Sequence, residues 1–199
     1  CIDQEIGRAS LVKKNDWVRL IISDTHLGTA HSKEKLLYEM LKTIEFDELI
    51  LAGDIVEFLR TPIFTKETVQ ILNLINTKPK KVIYVVGNHD EAFMQFVKNK
   101  IANIYFLRKY EYEYADRKFR IEHGDQYDNG IVKWRYTIEF ISYIQNILER
   151  FFGWDLTTWW SKRQLKKRKL KRIWDIAKWN DDVDVFIMGH THNPEVLIW

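Results

Sequence analysis

Short apolar segments alternate with amphipathic segments over the first hundred residues, and this alternation constrains the fold more than any other feature. Each apolar run is bounded by polar residues or glycine, which is typical of a buried strand. The segments between them place apolar side chains at helical spacing. Strands that alternate with helices indicate β-α-β units, so the sequence predicts an α/β fold with a parallel sheet. The predicted strands are 18–22, "DELILAGD" and "KKVIYVVGN", and the predicted helices are 33–44 with Ser32 as its N-cap, 65–76 and 91–100.

The pattern changes after residue 107. The stretch "LRKYEYEYADRKFRIEHGD" alternates with a period of two around residues 115–118, which predicts a β-hairpin. Two helices are then predicted over about 131–152 and 161–179, and "DVDVFIMGHTHN" contains a further strand. We therefore predict a core formed by residues 1–130 and 181–199, with residues 131–180 inserted as a helical cap.

The predicted cap differs in composition from the rest of the chain. It holds twelve lysines and arginines against four acidic residues, and six of the eight tryptophans. Basic residues beside tryptophan suit an anionic membrane surface or a phosphorylated amphiphile, and nucleic acid is the less favoured anionic partner. A solvated basic helix face with core-packed aromatic residues is the structural alternative. The candidate substrate-binding residues in the cap are Trp159, Trp160, Arg163, Lys166 and Lys167.

Two absences in the sequence bear on location. The only cysteine is Cys1, so an intramolecular disulfide is excluded and no oxidising compartment is needed. The sequence contains neither a long uncharged apolar run nor the pattern of a signal peptide. We expect a cytoplasmic protein, either free or peripheral on the inner face of a membrane.

Five of the six histidines follow predicted strands, each beside a carboxylate, an amide or a glycine. The carboxyl ends of parallel strands meet along one edge of a sheet, where ligand sites form. Each motif alone is weak evidence, because Asp, Asn and His also cap helices and form turns. Together they predict a site with mixed nitrogen and oxygen ligands, suited to divalent Mn, Fe, Zn, Ni or Co. The segments are "SDTHLG" (Asp24, His26), "AGDIVE" (Asp54), "VGNHDE" (Asn88, His89, Asp90), "EHGDQ" (His123, Asp125) and "MGHTHN" (His190, His192).

The spacing within two of these segments has a physical interpretation. Residues two apart on extended backbone point the same way. Asp24 and His26 are therefore expected to reach one metal ion together, as are His190 and His192.

These ordered blocks resemble the signature of the calcineurin-like metallophosphoesterases, D-x-H, G-D-x-x-[ED], G-N-H-[DE], H-G-D and G-H-x-H. The resemblance implies a four-layer α/β/β/α sandwich and a centre of two divalent metal ions, with Mn²⁺ the first expectation. It implies that Asp54 bridges the two ions and that His89 is a catalytic residue oriented by Asp90. The implied ligands are Asp24, His26, Asp54 and His192 for one ion, and Asp54, Asn88, His123 and His190 for the other.

Within that superfamily, a helical lid at this position and the stretch "GDIVEF" resemble the UDP-2,3-diacylglucosamine hydrolases. That branch implies a peripheral membrane enzyme that cleaves the pyrophosphate of a UDP-sugar lipid. The chain departs from it at His89, where the branch typically has arginine. Two alternatives remain. One is a nuclease or cyclic-nucleotide phosphodiesterase, and the other is a non-catalytic scaffold that binds partners through the cap.

Overall fold

The computed structural model describes residues 17–30, 32–59, 62–127, 176, 180–192 and 196. The chain divides into two compact units, one formed by Cys1–Gly124 with Val185–Trp199 and the other by Asp125–Asp184. The sheets and helices described below belong to the first unit. The two helices predicted within 131–180 lie outside the described residues, apart from Ile176 and Asn180.

A five-stranded sheet forms the centre of the first unit, with strand order β1-β2-β3-β5-β4. Neighbouring strands are parallel except for the short β4, which pairs antiparallel to β5. Every residue of β2 is buried, because this strand lies inside the sheet and both of its faces are covered. The strands are β1 (Arg19–Ile22), β2 (Glu48–Ala52), β3 (Lys81–Val85), β4 (Lys100–Ile101) and β5 (Ile104–Leu107).

A three-stranded sheet lies against the first, with order β6-β7-β8. The predicted hairpin forms β6 (Lys109–Tyr114) and β7 (Arg117–Glu122). Its turn residues Ala115 and Asp116 have φ angles of 49° and 58°, as a two-residue hairpin with the right-handed strand twist requires. β8 (Val185–Met188) then pairs parallel to β7.

Two helices cover the outer face of the five-stranded sheet, α1 (Glu34–Thr43) and α2 (Lys66–Thr77). They help to enclose one apolar core, which includes Leu41 and Ile71. A second core lies between the sheets, where Ile50 and Ile83 meet Ile121. The described residues thus form a helix layer and two sheet layers of an α/β fold. The second helical layer implied by the resemblance is not among them.

The third predicted helix is wrong beyond its first six residues. The chain forms a 3₁₀-helix at Glu91–Phe96 and then turns at Lys98, whose φ is 68°. The helix stops because the backbone pairs with β5 instead, through Lys98 N to Phe106 O at 2.8 Å. Neither β4 nor β5 is predicted by the sequence pattern.

The cap predicted for α1 is also wrong. Ser32 donates its hydroxyl to the carbonyl of Thr25 at 2.9 Å rather than accepting a hydrogen bond from the helix. α1 begins one residue later than predicted, after Lys33, without a side-chain cap.

Candidate metal centre

Loops that follow β1, β2, β3, β7 and β8 carry the predicted metal ligands, and we call this end of the sheets the carboxyl edge (residues 23–30, 53–59, 86–90, 123–124 and 189–192). The first two loops run side by side. Asp24 N donates to Gly53 O at 3.0 Å, and His26 N donates to Asp54 O at 3.0 Å. An isolated parallel bridge joins Leu27 to Val56 just beyond them. Backbone hydrogen bonds therefore hold Asp24, His26 and Asp54 in fixed relative positions.

Five of the seven predicted ligands have a left-handed backbone. Non-glycine residues rarely adopt positive φ, although Asp and His do so more often than most, and such conformations concentrate at functional sites. The expectation of extended backbone in D-x-H and H-x-H is therefore wrong. β1 ends at Ile22 and β8 at Met188, so the ligands lie in turns that direct each side chain separately. The φ angles are 54° for Asp24, 44° for His26, 54° for Asp54, 67° for His190 and 50° for His192.

Asp24, His26 and His192 form one cluster of candidate ligands. The Nε2 atoms of His26 and His192 are 3.2 Å apart, and His192 Nε2 lies 3.5 Å from Asp24 Oδ1. The Asp24 carboxylate also accepts the backbone N–H of His190, at 2.9 Å from Oδ1. The side chain of His192 is 58% exposed, so this cluster opens to solvent.

Asp54, His123 and His190 form a second cluster, and both Asp54 and His123 are buried. His123 donates from Nδ1 to the Ala52 carbonyl at 3.1 Å. Its Nε2 faces Asp54 Oδ2 at 3.0 Å and Asn88 Oδ1 at 3.1 Å. The structure therefore brings all seven predicted ligands to one edge, while the role of each remains a prediction.

The chemistry of these contacts fits a bound cation. With Nδ1 of His123 committed to a carbonyl, neutral His123 presents a lone pair to two oxygen acceptors. In the other cluster the Nδ1–H of His26 is donated to Glu57 at 3.1 Å, so His26 Nε2 carries a lone pair, which can accept an N–H from His192 Nε2 or bind a metal ion. The His123 cluster therefore needs a proton or a metal ion between its atoms. In both clusters a histidine donates its Nδ1–H to a protein oxygen, which is how metal-binding histidines are usually held.

Glycines make this close approach possible. Gly53 has a φ of 86°, and a Cβ there would overlap the His123 ring. A Cβ on Gly87 would overlap Oδ1 of Asp54. Any side chain at either position would displace a candidate ligand.

The electrostatics of Asp54 and His123 are linked. Burial by itself would raise the pKa of Asp54, but the hydrogen bond and charge of His123, with the charge of His89, hold it at about 2. Burial would lower the pKa of His123, yet its interactions with Asp54 outweigh burial and raise it. The carboxylate therefore stays ionised and attracts positive charge to this cluster.

Glu57 contacts two histidines of the candidate site, although the sequence pattern alone predicted no role for it. Its buried carboxylate accepts hydrogen bonds from Nδ1 of His89, at 2.7 and 2.8 Å, and from Nδ1 of His26. Burial would raise the pKa of Glu57, but the hydrogen bonds of His26 and His89 lower it to about 2. The signal was present, because Glu57 is the last residue of the G-D-x-x-E block.

Nδ1 of His89, the residue that Asp90 is predicted to orient, is hydrogen-bonded to Glu57, and the role of Asp90 stays a prediction. The buried carboxylate of Asp90 lies beside the buried Tyr84 hydroxyl and the backbone N–H of Gly87. Burial, with the charge of Asp54, raises the pKa of Asp90 to about 7. Glu57 holds Nδ1 of His89 because it lies between the two histidines, whereas the Asp90 side chain turns into the core.

The candidate substrate-binding residues of the cap, Trp159, Trp160, Arg163, Lys166 and Lys167, lie outside the described residues.

A sequence profile of the calcineurin-like phosphoesterase family matches residues 19–194. The chain belongs to this family. Its reaction class is that of a metal-dependent phosphoesterase, a hydrolase that acts on phosphoesters. No curated protein matches the chain.

Solved structures of low sequence identity resemble the chain. The protein of unknown function AQ665 from Aquifex aeolicus is 16% identical, with a TM-score of 0.46 over 89% of this chain and 80% of that one. Vacuolar Protein Sorting 29 from Cryptosporidium parvum is 18% identical, with a TM-score of 0.49 over 92% of this chain and 70% of that one. Vps29 from Entamoeba histolytica, solved in complex with Zn²⁺, is 16% identical, with a TM-score of 0.42 over 89% and 66% of the two chains. The family assignment rests on the sequence profile.

Proposed function

We propose that the chain hydrolyses a phosphoester or phosphoanhydride bond at a centre of two divalent cations, with Mn²⁺ the first candidate and Fe, Zn, Ni or Co the others. The observation that carries this proposal is the convergence of two clusters of candidate ligands, in one of which the Nε2 lone pair of His123 faces two oxygen acceptors. The donor set has no thiolate, which favours a catalytic divalent ion over a structural zinc site.

The residues divide into two ligand sets. Asp24, His26 and His192 would hold one cation and Asn88, His123 and His190 the other, with Asp54 shared. When bound, such cations neutralise phosphate charge and make a water nucleophilic near neutral pH. A carboxylate can bridge two metal ions, and the burial of Asp54 with its Oδ2 3.0 Å from His123 Nε2 supports this role.

His89 has the geometry of a proton donor. Its Nδ1 is fixed by Glu57, and its Nε2 faces the clusters, 3.8 Å from Asp54 Oδ2. Burial would lower the pKa of His89, but the hydrogen bond with Glu57 and the charges of Asp54 and Glu57 raise it. The raised pKa favours the protonated form of His89, whose Nε2–H can be delivered to the leaving oxygen of the ester.

For the substrate we propose an amphiphilic phosphate compound, with a UDP-sugar lipid as the specific candidate. The basic and tryptophan-rich composition of residues 131–180 supports it, as does the similarity of "GDIVEF" to the lipid hydrolases. Binding at a membrane surface through this segment belongs to the same proposal. In the described part of the chain, no helix is long and apolar enough to span a bilayer.

A substrate panel with metal reconstitution tests the proposal. The full chain is stripped with chelator, reloaded with Mn²⁺ or another divalent ion, and assayed on a chromogenic phosphodiester, UDP-lipids, nucleotides and phosphopeptides. We expect turnover that needs metal and is lost in His89→Ala, whereas Glu113→Gln, an exposed change on β6, keeps it.

Turnover of no ester with any divalent ion would contradict the enzyme and favour the scaffold. Faster turnover of oligonucleotides than of UDP-lipids would favour the nuclease. Vesicle binding that falls with salt and is lost when Lys166 and Lys167 are neutralised would support the membrane component.

A further inference from the structure

Ser23 carries a part-buried hydroxyl at the carboxyl edge, and it is neither a candidate ligand nor a candidate proton donor. It directly follows β1, and its Oγ lies 2.5 Å from Asp24 Oδ2 and 2.9 Å from the carbonyl oxygen of Ala52, the last residue of β2. A hydroxyl has one proton for these two acceptors, and the charged carboxylate is the stronger of them. Ser23 therefore donates chiefly to Asp24, with Ala52 as the second acceptor of a shared proton.

The hydrogen bonds of Asp24 distinguish its two carboxylate oxygens. Oδ2 accepts the Ser23 hydroxyl and lies 3.1 Å from the backbone nitrogen of His190. Oδ1 lies 2.9 Å from the same nitrogen, and it is the oxygen that faces His192, with Nε2 at 3.5 Å. The contact with Ser23 thus engages Oδ2 and leaves Oδ1 turned towards the cluster of Asp24, His26 and His192.

The carbonyl of Ala52 connects Ser23 to the other cluster. It accepts the Nδ1–H of His123 at 3.1 Å, and a carbonyl oxygen has a second lone pair for the Ser23 hydroxyl. Ala52 is buried at the end of β2, inside the five-stranded sheet. One fixed oxygen therefore holds both His123 and the hydroxyl that contacts Asp24.

Gly189 leaves the space in which Ser23 and Asp24 meet. A Cβ at this position would overlap both Ser23 Oγ and Asp24 Oδ2. Any side chain there would separate the hydroxyl from the carboxylate. The contact between Ser23 and Asp24 thus depends on a glycine that directly follows β8.

Thr25 makes a comparable backbone contact without touching the side chain of a candidate ligand. Its Oγ1 donates to the carbonyl of Ile55 at 2.9 Å, so it also attaches the loop after β1 to the loop after β2. The two hydroxyls differ in the contact that Ser23 makes with the Asp24 carboxylate. A comparison of the two therefore separates the orientation of a ligand from the attachment of the loops.

We propose that Ser23 is a positioning residue that orients the Asp24 carboxylate for a cation bound with His26 and His192. The proposal rests on the metal centre of the proposed function, and it assigns part of the metal affinity to a hydroxyl that is not itself a ligand. Hydrogen bonds to ligating carboxylates hold them in the geometry that the ion needs, and their loss weakens metal binding about tenfold to a hundredfold.

Calorimetric titration of the metal-free full chain with Mn²⁺ tests this without depending on turnover. In Ser23→Ala we expect one of the bound ions to bind about tenfold more weakly than in the wild type, while the other keeps its affinity. Thr25→Val is the matched control, because it also removes one hydroxyl that joins the two loops. It should bind Mn²⁺ as the wild type does, and thermal unfolding should show a comparable small loss of stability in both variants.

Two further measurements show whether Ser23 acts through Asp24. The visible absorption of the Co²⁺-loaded protein depends on the ligands and geometry of the ion, so it should change in Ser23→Ala and stay unchanged in Thr25→Val. His192 is exposed, so His192→Ala removes a ligand of the first cluster without disturbing the core. In that background, Ser23→Ala should not weaken the remaining ion any further.

The outcomes distinguish this proposal from the proposed function. Unchanged Mn²⁺ affinity with an unchanged Co²⁺ spectrum in Ser23→Ala would overturn the positioning role and leave the phosphoesterase standing. An equal loss of affinity in Thr25→Val, or an equal further loss in the His192→Ala background, would also overturn it, because the effect would not come through Asp24. Weakened metal binding in Ser23→Ala of a protein that hydrolyses no ester would support the positioning role and contradict the proposed function. If no divalent ion binds the wild type, both proposals fail.

Discussion

The two ends of strand β2 carry buried carboxylates in opposite chemical settings. Glu48 begins the strand and Asp54 follows its end, and each is 1% exposed. Glu48 lies between permanent cations, with Arg19 Nε at 2.6 Å and Lys81 Nζ at 2.9 Å, and it accepts the Tyr110 hydroxyl at 3.0 Å. Asp54 instead faces the imidazoles of His123 and His89, which are cations only when protonated.

The difference shows how one strand serves both stability and chemistry. The charge of Glu48 is neutralised by side chains of the protein itself, so no further cation is needed at the start of β2. Among the described residues, the titratable imidazoles of His123 and His89 match the charge of Asp54, and the backbone of Asp54 is left-handed at a φ of 54°. Positive charge at the carboxyl edge is therefore supplied by imidazoles that can lose their protons, and the proposed metal centre needs such groups because a cation can take the place of the protons.

Asp54→Asn removes the shared carboxylate of the carboxyl edge and should have the largest effect on turnover. Loss of the shared carboxylate should lower metal-dependent turnover about a thousandfold, roughly 4 kcal/mol of transition-state stabilisation. Metal titration by calorimetry should show weakened binding at both positions. A variant that keeps normal metal affinity and turnover would show that Asp54 is not a ligand.

Glu48→Gln removes the buried charge at the start of β2, and it should lower the free energy of unfolding rather than the activity. Removing the charge leaves Arg19 and Lys81, whose side chains are 15% and 22% exposed, without their partner. Urea unfolding should show a loss of roughly 3 kcal/mol, because a part-buried cation pair is left uncompensated. Turnover per folded molecule should not change, and the exposed Glu113→Gln variant is the control for both measurements.

Glu57→Gln tests whether His26 and His89 depend on one carboxylate. Loss of the charge that holds both Nδ1 atoms should reduce metal affinity or turnover about tenfold to a hundredfold. The pH profile of turnover should shift to lower pH, since Glu57 is among the groups that raise the pKa of His89. An unchanged profile would assign Glu57 a packing role only.

The pH dependence of the free energy of unfolding should be the smallest effect, and it distinguishes the Glu48 end of β2 from the Asp54 end. In metal-free protein, the raised pKa of His123 and His89 means that their stabilisation is complete below pH 6.5 and is lost as pH rises through the folded pKa. Thermal unfolding between about pH 6 and about pH 9 should therefore show falling stability, since these pKa values lie above the usual value for histidine. Asp54→Asn should flatten this slope, whereas Glu48→Gln should keep it, because Arg19 and Lys81 stay charged throughout the range.

At acidic pH the dependence is the opposite, because stability falls as the pH falls. Burial would raise the pKa of Glu48, but Lys81 and Arg19 lower it, so its contribution is complete above pH 4.5 and is lost as pH falls through the folded pKa. Asp54 adds to this loss as pH falls from 3.8 towards 2. Acid unfolding that is unchanged in Glu48→Gln would contradict the interpretation of that end of the strand.

Local patterns were sufficient to predict much of the fold. Strands β1, β2 and β3 are short apolar runs, and the α1 and α2 periodicities place their ends within one or two residues of those observed. β5 was missed because its place is decided by pairing with β3, a contact that local periodicity does not contain. The 3₁₀-helix at Glu91–Phe96 ends early for the same reason.

The sequence by itself determined which ligand types occur and in which order, because each follows an apolar run that ends at the same edge of a parallel sheet. The tertiary structure decided how they are aimed, through left-handed turns at Asp24, His26 and Asp54 that the extended-backbone argument did not anticipate. It also decided that Glu57 holds Nδ1 of His89. That choice depends on a hydrogen bond between residues 32 positions apart, and only the packing of two neighbouring loops brings them together.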